Sequence, residues 1–253
     1  MRRAIVVAAA VVAPIAAYGG AWTLPEQTGQ AILSFSGGAG EFNGAARETR
    51  LESSLDVEYG LTDWLTGFVQ SGLESSSIGA PVSDSYRGLD YSGAGLRARL
   101  LSSESLVWSV QGTALLPGAH DAWRPAQAGN TGFNSDWRTL VGSSFRVGTM
   151  WAFADASLGY HARSDGPPDE WGADLTLGLH LRDDLTVMAQ SFNSLSNGSH
   201  APLFPAEQTM TVEPSVVYDF NKTWSLQIGA YATLRAVNAN RDRGIVVALW
   251  RRF

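Results

Sequence analysis

The sequence predicts an all-β protein: a transmembrane antiparallel β-barrel of about 12 strands that follows an N-terminal signal peptide. Three observations predict this fold. The chain starts with a basic and then apolar segment, apolar and polar residues alternate along most of its length, and it ends on an apolar strand. A barrel pairs its last strand with its first, so that no strand edge is left unsatisfied in lipid.

The first 21 residues have the pattern of a secretory signal peptide, which leaves residues 22–253 as one barrel domain. A basic start, an almost wholly apolar stretch up to residue 17 and small residues before Trp22 match that pattern. The alternative is a membrane anchor. However, the apolar stretch is interrupted by Pro14 and is shorter than the roughly 20 residues that a spanning helix needs.

Composition excludes several function classes. The chain has no Cys, so disulfide bonds, thiol chemistry and a lipid anchor on an N-terminal Cys are excluded. The formal net charge is −6, and a nucleic-acid partner is therefore not expected. Mean hydropathy is near zero, as in barrels, where lipid-facing and lumen-facing residues alternate.

Twelve segments with a two-residue period are expected to form the strands, each near the length that a tilted strand needs to cross a bilayer. They span residues 29–41, 47–59, 64–75, 88–101, 106–117, 135–147, 151–163, 169–181, 185–196, 207–219, 223–236 and 243–253. The clearest is the second, in which Leu51, Leu55 and Val57 alternate with polar residues. A soluble β-sandwich is the alternative fold, but it explains neither chain end.

The links between these segments alternate in length. Short turns such as 60–63 and 182–184 alternate with longer links, among them 76–87, 118–134 and 197–206. Outer-membrane barrels have short periplasmic turns and longer external loops. An even strand count then places both chain ends on the periplasmic side.

The last strand carries the predicted closure signal. Ile245, Val247, Leu249 and Phe253 alternate onto one face, which is expected to meet lipid and to be recognised by the barrel assembly machinery. Arg251 interrupts the apolar face close to the membrane interface, where its guanidinium can reach the headgroups.

The opposite face of the strands supplies the candidate lumen. The candidate lumen-facing residues are Arg50, Glu52, Asp56, Glu58, Arg97, Arg99, Arg138, Arg146, Asp155, Arg163, Asp174, Glu213 and Arg235. One interpretation is a hydrophilic pore that orients a polar solute, and the other is a lumen plugged by ion pairs. Both signs occur in similar numbers, which argues against strong anion selectivity.

No catalytic residue, metal ligand or cofactor site is predicted. Ser196-Asn197-Gly198 is similar to an element of an outer-membrane phospholipase family with a Ser-His-Asn site. That family has a His two residues before the Ser, where this chain has Ser194, and nothing in the sequence holds a base near Ser196. His200, four residues after Ser196, belongs to a link typical of an external turn.

Several stretches resemble a known family. They are Ala21–Gln30, Glu58–Thr66, Ala189–Asn193 and Val216–Asp219. They resemble proteobacterial outer-membrane proteins of the XagA-like kind, related to putative transporters of the meta-pathway of phenol degradation. The first name implies a role beside exopolysaccharide synthesis, in attachment and biofilm formation. The second implies uptake of small aromatic compounds. Neither family supplies catalytic residues.

The sequence as a whole therefore predicts a non-enzymatic, porin-like barrel in the outer membrane of a Gram-negative bacterium. Its expected partners are outer-membrane lipids and a polar solute or surface exopolysaccharide. Two alternatives stay open: a structural or adhesive barrel with a closed lumen, whose links 118–134 and 197–206 contact a partner, and an uptake channel for small aromatic compounds.

Overall fold

The structure, a computed structural model, is a closed antiparallel barrel of 12 strands. It describes residues 20–42, 46–119, 124, 126, 131–164, 168–198 and 205–253. The strands are β1 (Gly29–Phe42), β2 (Ala46–Thr62), β3 (Leu65–Ile78), β4 (Asp84–Ser102), β5 (Leu106–Leu116), β6 (Asn134–Val147), β7 (Met150–Arg163), β8 (Glu170–Arg182), β9 (Leu185–Ser196), β10 (Glu207–Asp219), β11 (Trp224–Val237) and β12 (Arg241–Arg252). The predicted fold class is confirmed.

Alternation along each strand builds the two surfaces of the barrel. On β2 the side chain of Leu51 is 64% exposed on the outer surface, whereas Glu48 on the inner face is 2% exposed. Large apolar side chains thus form the outer surface, and exposing them to water would cost free energy. Polar side chains collect inside.

The barrel closes between β1 and β12. Leu33 lies opposite Leu249 and Phe35 opposite Val247, all on the outer face. The N–H of Gly29 donates to the carbonyl of Phe253 (2.7 Å), and the N–H of Phe253 donates to the carbonyl of Gly29 (2.9 Å). The last residue of the chain therefore completes the ladder that removes both strand edges.

The two ends of the barrel differ. Short turns and the C-terminus form one end, here called the turn end, and the remaining links form the loop end. Exposed aromatic side chains lie near both: Trp64, Trp108 and Tyr218 at the turn end, Trp137 and Trp171 at the loop end. Such girdles are typical of barrels in lipid.

Strands extend further into the expected link 76–87 than the sequence indicates. β3 continues to Ile78 and β4 starts at Asp84, and Ser77 pairs with Ser85. In this part of β3 and β4 the outward Ser77 and Ser85 are polar, so apolar and polar residues no longer alternate in the sequence although the strands still pair.

Residues 1–19 of the predicted signal peptide and most of the links 118–134 and 197–206 lie outside the described residues. Within the described part of the chain, no helix is long and apolar enough to cross a membrane.

Candidate functional site in the barrel lumen

Most of the predicted lumen residues occupy inward positions. They are Arg50, Glu52, Asp56, Glu58, Arg97, Arg99, Arg138, Asp155, Arg163, Asp174 and Glu213. Cross-strand register fixes these assignments: Arg97 lies opposite Thr66 on one side and Gln111 on the other, both inward.

Two predicted lumen residues lie elsewhere. Arg235 is on the outer surface, opposite Met210, because the β10–β11 ladder shifts register between Met210 and Thr211. An extra residue in a strand reverses the facing of every residue beyond it. Arg146 is exposed at the turn end, where its guanidinium lies 4.3 Å from the centre of the Trp151 ring.

The inner face is strongly acidic. Its strand carboxylates are Glu48, Glu52, Asp56, Glu58, Glu74, Asp84, Asp90, Asp136, Asp155, Glu170, Asp174, Glu207, Glu213, Asp219 and Asp242. Its guanidiniums are Arg50, Arg97, Arg99, Arg138, Arg163 and Arg252. The similar numbers of both signs expected from the sequence are therefore wrong.

Ion pairs bind two of the inward guanidiniums to carboxylates of the barrel wall. Arg50 contacts Glu48 (3.0 Å), Glu52 (3.5 Å) and Glu74 (3.6 Å). On the far wall Arg138 contacts Asp136 (2.6 Å) and Asp174 (2.5 Å). Glu48, Glu52 and Asp136 lie on the same strand as their arginine, whereas Glu74 lies on β3 and Asp174 on β8. Each of the two guanidiniums is therefore shared among several carboxylates of the wall.

A cavity of about 350 Å³ occupies the middle of the lumen. We call it the central chamber, and its polar and aromatic lining includes Ser34, Ser36, Glu52, Asp90, Gln190, Phe192, Glu213 and Gln227. Of the described residues that line it, none is Arg or Lys. Glu213 receives a hydrogen bond from Gln227 (3.3 Å) and takes part in no ion pair within the described chain.

The turn end of the lumen is occupied by the chain itself. Residues 21–24, here called the inserted segment, run inside the barrel before β1 begins. Ala21 is the last residue of the predicted signal peptide, so a chain cleaved there keeps Trp22, Thr23 and Leu24 in the segment, each with its own hydrogen bond to the barrel. The N–H of Ala21 donates to Asp155 Oδ2 (2.6 Å), and Ser109 Oγ donates to the carbonyl of Ala21 (2.5 Å). Arg97 Nη1 donates to the carbonyl of Trp22 (3.2 Å) while its Nη2 contacts Glu58 (2.8 Å).

Packing of the Trp22 ring against the barrel wall holds the inserted segment in place. It packs edge-on against Phe153, with ring centroids 6.3 Å apart, and also contacts the cluster that contains Leu140. Gly142 makes room for the ring, because a Cβ at that position would lie 2.6 Å from a ring carbon. The site thus has two parts: a polar central chamber and an anchored segment between it and the turn end.

Sequence reasoning missed the inserted segment and part of the acidic lining. Four residues without a period carry no signal that places them inside a barrel. Glu48 and Asp136 could have been found, because each is two residues from a predicted inward Arg and so shares its face. Phe192 gave no such signal, since an aromatic residue on a strand is expected to face lipid.

At the loop end, ion pairs fix the start of the links. Arg124 contacts Asp84 (2.5 Å) above the rim. In the link before β8, Asp169 accepts hydrogen bonds from the Tyr160 hydroxyl (2.5 Å) and the Arg163 N–H (2.8 Å), which lower the pKa of Asp169. Ser196 faces inward at this end, and His200 lies outside the described residues. In the described chain no three His, Asp or Glu are placed to hold a metal ion.

Comparisons with known proteins match the fold only. No family model matches the chain, and no curated protein does. Among solved structures, the chain is similar to the COG4313 outer membrane channel from Pseudomonas putida F1 (12% identity, TM-score 0.73), covering 94% of this chain and all of that one. It is also similar to the NanC porin (9% identity, TM-score 0.55, 86% of this chain and 98% of that one). A third match is the beta domain of the Bordetella autotransporter Brka (12% identity, TM-score 0.53, 90% and 100%).

Proposed function

We propose that this protein is an outer-membrane channel for small polar solutes that admits cations in preference to anions, and that the inserted segment narrows or gates it. The observation that carries the proposal is the acidic central chamber. A charged ring at a constriction selects the counter-ion because the low-dielectric wall strengthens its field. Barrels that share this fold include channels and porins.

The distribution of charge supports cation passage. Glu52, Asp90 and Glu213 line the central chamber, whereas Arg50 and Arg138 are held against the walls by several carboxylates each. A cation crossing the chamber therefore meets carboxylate oxygens, and an anion meets repulsion. This also argues against passage of an acidic exopolysaccharide, one of the roles implied by the XagA-like resemblance.

The proposal is tested by conductance in planar bilayers under a KCl gradient. Wild-type protein is expected to conduct, with a reversal potential on the cation-selective side. Glu213→Gln is expected to reduce this selectivity, and the difference should shrink in high salt, where screening shortens the reach of the charge. Asp184→Asn, at an exposed turn, is the control and should leave selectivity unchanged. Anion selectivity of the wild type would refute the proposal.

A closed, structural barrel is the second candidate, and the inserted segment favours it. Hydrogen bonds join the segment to the wall, a buried one at Ala21 and a partly buried one at Trp22. The absence of conductance in wild type, and in variants that displace Trp22, would support the structural role. An uptake channel for small aromatic compounds has weaker support, since Phe192 is the one aromatic ring among the described residues that line the central chamber.

A further inference from the structure

The outer surface carries a row of guanidinium groups near the loop end. Arg47 on β2, Arg235 on β11, and Arg241 and Arg243 on β12 point outward and are exposed. We call these four residues the arginine row. Glu41 on β1 lies directly opposite both Arg241 and Arg47, and opposed side chains have Cβ atoms about 4.5–5.5 Å apart. One carboxylate among four guanidiniums leaves a clear positive charge.

The arginine row differs from the arginines at the turn end. There, Arg182 pairs with Asp184 (2.9 Å), and Arg146 and Arg251 lie over the rings of Trp151 (4.3 Å) and Trp224 (5.0 Å). Within the described chain, no ion pair, side-chain hydrogen bond or ring contact engages the guanidiniums of the arginine row. Their charges are therefore available to a partner outside the barrel.

The surface around the arginine row is amphipathic. Arg47, Arg241 and Arg243 line a hollow of about 790 Å³ at the rim of the loop end, together with the outward Glu41 and the inward Asp242. A second hollow of about 310 Å³ lies between Trp171, Leu195 and Met210 and ends at Arg235. Further from the rim, the outer surface becomes apolar: Ile245 and Leu51 are the next large side chains on β12 and β2.

We propose that the arginine row binds the phosphate groups of anionic lipid headgroups in the leaflet at the loop end. The row lies where the apolar outer surface ends, which is the depth of the headgroups in a bilayer. Guanidinium groups bind phosphate oxygens through paired N–H donors, and basic clusters at headgroup depth attract anionic lipids. The apolar walls of the hollow at Arg235 provide a surface for the acyl chains of the same lipid.

The test uses purified mature protein in detergent and native mass spectrometry, with diphosphoryl lipid A and monophosphoryl lipid A as probes. These lipids differ by one phosphate group, so a surface that binds phosphate is expected to bind the diphosphoryl form more tightly than the monophosphoryl form. The double substitution Arg241→Gln with Arg243→Gln is expected to weaken binding of the diphosphoryl form about tenfold or more. Heat-modifiable gel mobility checks that the variant is folded.

Arg251→Gln is the matched control, because Arg251 also points outward from β12 but at the turn end. It should bind the diphosphoryl lipid as the wild type does. Equal loss in both variants, or no loss in the double variant, would overturn the proposal. Displacement of the lipid by millimolar inorganic phosphate would overturn its lipid specificity and identify a site for free phosphate instead.

Discussion

Arg97 is the residue on which the turn end of the lumen depends most. Its side chain is 3% exposed and joins three parts of the structure: Glu58 on β2, Gln111 on β5 and the carbonyl of Trp22. A buried charge that loses its partner is costly, whereas the intact pair itself adds little. Arg97 thus acts by holding neighbours in place, and its charge is not available to passing ions.

Replacing Arg97 with Gln is expected to lower the free energy of unfolding by about 3–5 kcal/mol, because Glu58 is left without its guanidinium. Urea unfolding of the folded barrel in detergent, followed by gel mobility, measures the change. Arg99→Gln is the control, since Arg99 also faces inward but forms no ion pair in the described chain. Equal stability of the two variants would contradict the structural role of Arg97.

At the residue scale, the sequence predicts correctly whether a side chain points inward or outward, except where a strand contains a register shift. Glu52 and Asp174 are inward as parity requires. Arg235 is outward because of the register shift beside Met210, and nothing in the local sequence indicates that shift. The excess of carboxylates in the lumen was not predicted for a related reason. Arg235 lies outside the lumen, and inward carboxylates such as Asp242 were not among the predicted lumen residues, so carboxylates outnumber guanidiniums.

At the scale of elements, the inserted segment is the part with the clearest functional consequence. Gly142 provides the space that the Trp22 ring fills. Because the three atoms nearest to an added Cβ there all belong to the Trp22 ring, at 2.6–2.9 Å, a larger side chain acts on the segment first.

Gly142→Val is expected to displace Trp22 and to raise single-channel conductance. Gly172→Val is the control: Gly172 also faces inward, but an added Cβ would meet its nearest atom only at 3.6 Å. Protease cleavage within residues 22–28, detected by mass spectrometry, reports displacement of the segment independently. Displacement without any change in conductance would show that the segment does not control passage.

The terminal strand is the second element with a testable role. Leu249 faces outward opposite Leu33 and Leu226, and Phe253 closes the ladder with Gly29. Its apolar alternation is strong enough to be read from the sequence alone. The pairing with β1 requires the closed topology as well, which depends on the strand count.

Leu249→Asp is expected to reduce the amount of folded barrel in the outer membrane, because a carboxylate within the lipid-facing surface costs free energy, though less than the roughly 2–4 kcal/mol of a mid-bilayer Arg or Lys. Arg251→Asp lies on the same face near the interface, where the penalty falls to about 0–1 kcal/mol. Quantitative blots of membrane fractions compare the two. Equal levels would contradict the predicted lipid contact of Leu249.

At the scale of the whole molecule, the fold was the most predictable feature. Period-two alternation, the apolar last strand and the unequal links each predict a barrel, and they agree with one another. The interior was less predictable, because it depends on which distant strands face each other across the lumen. Asp155, for example, acquires its role only when the barrel brings it to the N–H of Ala21.

The barrel is expected to refold in detergent with β-type circular dichroism and with different gel mobility before and after heating. The ladder is continuous around all strands, so it should melt as one unit and leave no partly folded band. Shaving of loop-end links by protease should leave this mobility shift intact, since those links lie outside the ladder. A helical spectrum, or solubility of the folded protein without detergent, would contradict a barrel that spans lipid.

The inserted segment also bears on the order in which the barrel assembles. It contacts Thr66 on β3, Arg97 on β4, Ser109 on β5 and Asp155 on β7, and none of these four contacts involves β12. Strands β3 to β7 can therefore curve around an internal template before β12 pairs with β1. Contacts between residues far apart in sequence form slowly, and the β1–β12 seam is the most distant pairing in the chain. A template that holds the open sheet in a curved shape shortens the time during which its unpaired edges are exposed to other chains.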